Sequence, residues 1–123
     1  MGTIKSYRDL VAYQEAHKLA LQVYEITKLF PPDERFALVD QLRRCAISIT
    51  SNIAEGFARN TTKDKIQFYT ISRGSLCELD SQLLIAKDLK YISEQNHLKC
   101  LDQINFVSRL LSGLIKTAPS NQF

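Results

Sequence analysis

Residues 41–59, QLRRCAISITSNIAEGFAR, read as one long helix carrying two different stripes. One stripe is apolar: Leu38, Leu42, Cys45, Ile49, Ile53 and Phe57. The other is polar: Gln41, Arg44, Ser48, Asn52, Glu55 and Arg59. At about 100° per residue, the two stripes are centred only about 75° apart. A polar side meant for solvent would sit opposite the apolar one. Polar groups this close to a core edge become partly buried and bond to one another. The stripe therefore predicts a second contact surface, toward another helix or another subunit.

Working outward, the chain has few breaks. Its 123 residues are 45% hydrophobic, which suffices for one domain with a core. Pro31 and Pro32 are adjacent, and Pro119 lies near the C-terminus. The uninterrupted stretches suit long helices rather than strands. Four helices are expected, over about 6–29, 33–58, 62–89 and 93–116, with a frayed tail over 117–123. Ser6 with Asp9 nearly forms a capping box, Thr61 with Asp64 or Thr62 alone starts the third helix, and Ser93 caps the fourth.

The apolar positions follow a helical period. In the first helix they are Leu10, Tyr13, His17, Ala20, Tyr24 and Ile26, widened by Ala16, Leu19 and Val23. In the third they are Phe68, Ile71, Leu79, Leu83 and Ala86, with Ser75 among them. In the fourth they are Leu98, Leu101, Ile104, Val107, Leu111, Leu114 and Ile115. Each helix of about 24 residues is about 36 Å long. Short connections return the chain antiparallel, so the expected fold is all-α: an up-down-up-down four-helix bundle in one domain.

The net charge of +3 is mild. It permits nucleic-acid contact without arguing for it. Cys45, Cys77 and Cys100 have no CxxC spacing and fall in helices, which suits buried reduced thiols in a cytoplasmic protein. No signal sequence is expected in MGTIKSYRDL. The longest charge-free run, residues 45–54, is too short and polar to span a bilayer, so no membrane partner is expected.

Several segments carry a family resemblance. They are YRDLVAYQEAHKLALQVYEIT, FPPDERFALVDQLRRCAISITSNIAEGFAR and FYTISRGSLCELDSQLLIAKDLKYI. Together they cover about residues 6–115. The chain resembles the 23S rRNA intervening-sequence protein (S23) family of small bacterial four-helix bundles. Thr50-Ser51 stands where the family commonly has a Pro-Ala-like pair, and Ser72 where Ala is usual. The resemblance implies a ring assembly, typically a homopentamer. It also implies kinship with accessory proteins of diversity-generating retroelements, which associate with nucleic acid and a reverse transcriptase. It implies no biochemical activity.

Helices two and three supply a polar set of Gln41, Arg44, Ser48, Asn52, Glu55, Glu78 and Gln82. Counted from Asn60, Arg44 and Glu78 lie at similar heights, so the expected pair is Arg44–Glu78. These residues fix register or subunit geometry, or else contact a ligand. Glu55 and Glu78 lie about 20 Å apart along the axes, too far to share acid–base work. His17 and His97 have no metal-ligand companions, and no cofactor is implied. No phosphate loop or nucleophile elbow is present. Gly56 and Gly74 inside helices suggest close helix approach.

Charge placement gives a second candidate site. Lys5, Arg8, Arg59, Lys63, Lys65 and Lys116 gather at one bundle end, against Asp9, Glu55 and Asp64. A cyclic assembly multiplies such a patch, and phosphate affinity grows with the number of neutralised charges. No aromatic interleaving for sequence readout is evident there. Two functions are therefore expected. One is a non-enzymatic homo-oligomeric scaffold. The alternative is a nucleic-acid-binding accessory protein whose basic rim meets RNA or DNA, with or without a protein partner.

Overall fold

The structure, a computed structural model, describes residues 3–118. Four long helices dominate it: α1 (Val11–Thr27), α2 (Leu38–Ala58), α3 (Thr62–Asp88) and α4 (Glu94–Lys116). Three-residue 3-10 turns, Tyr7–Asp9 and Pro32–Glu34, precede α1 and α2. Each helix packs on its neighbours in the chain, and α4 closes back on α1. Bonds Lys65 to Phe57, Ser72 to Ile49 and Ser75 to Cys45 run in opposite residue order, so α2 and α3 are antiparallel.

Local chemistry sets most helix ends. The Ser6–Asp9 capping box forms, but it closes the 3-10 turn rather than a continuous first helix. Leu10 follows in extended conformation and turns into the core at 1% exposure. Apolar burial therefore divides what the pattern joined. Thr61 and Ser93 accept from the backbone N–H groups of Asp64 and Asn96, as N-caps do. Lys90 adopts φ 65°, and Tyr91 N–H donates to Ala86 O, a Schellman closure with lysine in the place glycine usually takes.

The second helix starts later than the acidic pair Asp33-Glu34 suggested. Glu34 is held in its turn by the Tyr91 hydroxyl, which donates to Oε2 at 2.8 Å. Phe30 stacks obliquely on the Tyr91 ring at 5.4 Å. The link is thereby tied to the α3–α4 connection, and α2 begins only at Leu38. The expected frayed tail lies outside the described residues from position 119. Thr117 bonds back to Gly113 O, and Ala118 packs at 2% exposure, so these two belong to the bundle.

The core contains Leu19, Leu42, Ile49, Ile53, Tyr69, Leu79, Leu83, Val107, Leu111 and Leu114. The expected core positions Ser75, Leu79, Leu83 and Ala86 of α3 and Ile104, Val107, Leu111 and Leu114 of α4 are buried, whereas α1 and the first halves of α3 and α4 depart from the pattern-based expectation. On α1, Ala12, Ala16, Leu19 and Val23 face inward, while His17 is exposed and Tyr13 half-buried. On α3, Tyr69, Ser72 and Leu76 are buried and Ile71 faces solvent. On α4, His97 and Cys100 are buried and Leu98 is exposed. Small inward residues on α1 allow close helix approach, and the larger rings are left at the rim.

Candidate functional site

Two regions hold the candidate residues: the α2–α3 seam with its outer face, and the end of the bundle at the α2–α3 turn.

Small polar groups line the seam. The Cys45 thiol donates to Ser75 O at 2.9 Å, and Ser48 Oγ lies 2.9 Å from Ser75 Oγ. Asn52 Nδ2 donates to Ser48 O at 2.8 Å and to Ser48 Oγ at 3.1 Å. Ser72 Oγ donates to Ile49 O at 2.7 Å. The middle of the polar stripe is thus partly buried and mutually bonded. Ser72 and Ser75 belong to this network but not to the candidate set. Their offset from Leu79 by seven and four residues was the available signal.

The ends of the stripe behave differently. Gln41, Arg44 and Glu55 are exposed. Arg44 Nε bonds Asp40 Oδ2 at 2.9 Å, on its own helix, and Glu78 remains exposed on α3. The expected Arg44–Glu78 pair is therefore not formed within the chain. An i,i+4 partner needs less ordering than one across a seam already filled by serines. Gln82 is half-buried, and its Oε1 is buried with no hydrogen-bond partner.

The two expected packing glycines also part. A Cβ at Gly56 would meet Tyr69 Cε1 at 2.6 Å, so this glycine admits the buried ring. At Gly74 a Cβ would meet nothing within 4 Å. Close approach within the chain explains only the first. Ile71, Gly74, Glu78 and Ile85 share the outer side of α3 by helical spacing. Ile71 is 46% and Ile85 51% exposed.

At the basic end, Lys5 and Arg8 flank the first turn, Lys63 starts α3 and Lys116 ends α4; all four are exposed. Arg59 is committed to Glu55 at 2.7 Å and lies over the Phe68 ring. Lys65 corrects the expectation. It is 7% exposed, and its ammonium donates to Phe57 O at 2.7 Å and Gly56 O at 3.4 Å. The carbonyls at the end of α2 need donors, and a lysine one turn into α3 reaches them. Burial holds its pKa below the ordinary lysine value. Lys65 is a helix cap rather than a phosphate contact.

Among the described residues, no group of three or more His, Cys, Asp or Glu could hold a metal ion. No helix among them is long and apolar enough to cross a membrane. Cys45 and Cys100 are buried free thiols, each pushed by burial to a pKa of about 11. Cys77, expected to be buried, is exposed.

A search among curated proteins returns no match. Among solved structures, one similar fold is a protein of unknown function from the S23 ribosomal protein family of Bacteroides thetaiotaomicron. It aligns with a TM-score of 0.80 at 21% identity, covering 87% of this chain and 96% of that one. The family model described as 23S rRNA-intervening sequence protein matches residues 8–113. On that match, the chain belongs to the 23S rRNA-intervening sequence protein family.

Proposed function

We propose that this protein is a non-enzymatic helical scaffold that assembles with copies of itself through the outer face of α2 and α3. The observation that carries this reading is the second face of α3. Ile71 and Ile85 stand half exposed on either side of Gly74, where space is open. A helix from another copy laid there would cover both isoleucines, and Gly74 would let it approach closely. Arg44 and Glu78, both exposed, then become available to pair between copies. A cyclic pentamer is the assembly implied by the family resemblance. A cytoplasmic site of action fits the three free thiols. Light scattering coupled to chromatography at micromolar concentration tests the reading. A single discrete oligomer supports it, and a stable monomer overturns it.

A second reading is nucleic-acid association through the basic end. Lys5, Arg8, Lys63 and Lys116 are exposed there, and none of the four forms an ion pair among the described residues. Titration with RNA and with DNA at low and high salt tests it. Absence of binding at about 50 mM salt overturns it, because electrostatic contacts are strongest there.

A further inference from the structure

The rotation of α1 leaves a cleft on its outer side. It has a volume of about 470 Å³ and is lined by Arg8, Tyr13, Gln14, His17 and Lys18. That size suits one planar ring system with its polar attachments. The floor is aromatic. The Tyr13 and His17 rings lie 6.1 Å apart at 33° to each other. Tyr7 meets Tyr13 edge-on at 4.6 Å, and the Arg8 guanidinium carbon lies 4.8 Å from the Tyr7 ring centroid. The flanks are cationic. Gln14 Nε2 donates to Arg8 O at 2.9 Å, tying the Arg8 backbone to α1.

Nearby acids are already engaged. Asp9 accepts from the backbone N–H groups of Lys5 and Ser6. Glu15 is 13% exposed and accepts from Gln103, a bond that heads the causes holding its carboxyl below the ordinary range. Lys18 touches Glu15 at 3.0 Å, yet 67% of its side chain stays exposed. Two cations beside two rings are what a phosphate linked to a planar base requires.

We propose that this cleft binds a nucleotide unit of a single-stranded nucleic acid, its base against Tyr13 and His17 and its phosphate on Arg8 and Lys18. This rests on the nucleic-acid reading above and carries the contact from the bundle end along the side of α1. Stacking accepts every base, so the cleft selects single strands over duplex and does not read sequence.

The test is fluorescence anisotropy of a labelled oligoadenylate of about twelve nucleotides against the full chain at about 50 mM salt. An abasic strand of equal length, a duplex and AMP are run beside it. The oligoadenylate is expected to bind more tightly than the abasic strand and the duplex. His17→Ala, at an exposed position, and Tyr13→Leu, which keeps an apolar group against the core, should each weaken it about five- to hundredfold. Tyr13→Phe should bind as the parent does. Equal affinity for the abasic strand, or unchanged binding by His17→Ala, overturns the cleft. If such binding still falls with Lys63→Glu and Lys116→Glu, the basic-end reading survives alone. No binding to any probe overturns both. AMP binding as tightly as the strand supports the cleft but assigns it to free nucleotides, against the strand.

Discussion

Gly56 shows how one residue sets the contact between two helices. A Cβ there would lie 2.6 Å from Cε1 and 2.8 Å from Cδ1 of Tyr69, a ring only 1% exposed. The ring cannot swing into solvent, so Gly56→Ala forces helix displacement. The expected loss is about 1–3 kcal/mol, measured by urea unfolding. An unchanged midpoint would mean that the ring has another place to go. The buried thiols give a second residue-scale expectation. Burial pushes the Cys45 and Cys100 thiols up to about 11, above the ordinary thiol range, and Tyr69 to about 12. A raised pKa means that the folded state keeps a proton the unfolded chain releases. These contributions are complete below about pH 9 and lost as pH climbs through the folded values. Lys65, whose pKa is lowered, acts with opposite sign and is outnumbered. Stability should therefore fall above about pH 9, and Cys100→Ala should flatten the fall. In native protein at neutral pH, a thiol reagent should label Cys77 alone, with Cys45 and Cys100 reacting only on unfolding.

At the scale of elements, α3 is the helix with two faces to account for. Its inner face, through Tyr69, Leu76, Leu79 and Leu83, belongs to the core. Its outer face carries Ile71 and Ile85 around a glycine at which a Cβ would find open space. Gly74→Ala removes backbone freedom at an exposed helical site, so it should stabilise the isolated chain by about 1 kcal/mol. Gly74→Glu places a charge beside Glu78 and should dissociate the proposed assembly while leaving helical content intact. Circular dichroism with light scattering distinguishes these outcomes. A Gly74→Glu protein with unchanged native mass would remove this face from the interface. The α2–α3 turn shows how an element end consumes a charge. Lys65 caps α2 and Arg59 spans Glu55 and Phe68, so only part of the apparent basic cluster remains for a partner.

For the whole molecule, the proposed association would multiply charge. A single chain offers four exposed cations outside the ion pairs near one end, Lys5, Arg8, Lys63 and Lys116, and an assembly would repeat them. Each neutralised phosphate adds about 0.7 to the slope of log affinity against log salt for a single strand. The proposed ring should therefore show a steeper slope than its dissociated form. Gly74→Glu tests this without touching any cation. A slope unchanged by dissociation would separate nucleic-acid binding from assembly. Much of this architecture was legible along the chain. Helix number, the Ser6, Thr61 and Ser93 caps and the buried middle of the α2 stripe depend on bonds and spacings within a few residues. Backbone bonding and capping are local, so they can be read locally. Rotation about the axis of α1, and the inward face of the first halves of α3 and α4, cannot. Ala12 and Tyr13, or Leu76 and Cys77, differ by about 100°, and apolar groups on several sides leave that angle open. Packing settled it by turning Ala12 and Ala16 inward, leaving Tyr13 and His17 at a cleft and Ile71 outside. The same packing buried Lys65, because its ammonium reaches carbonyls that only the neighbouring helix end supplies, whereas Arg44 took the local partner Asp40 on its own helix.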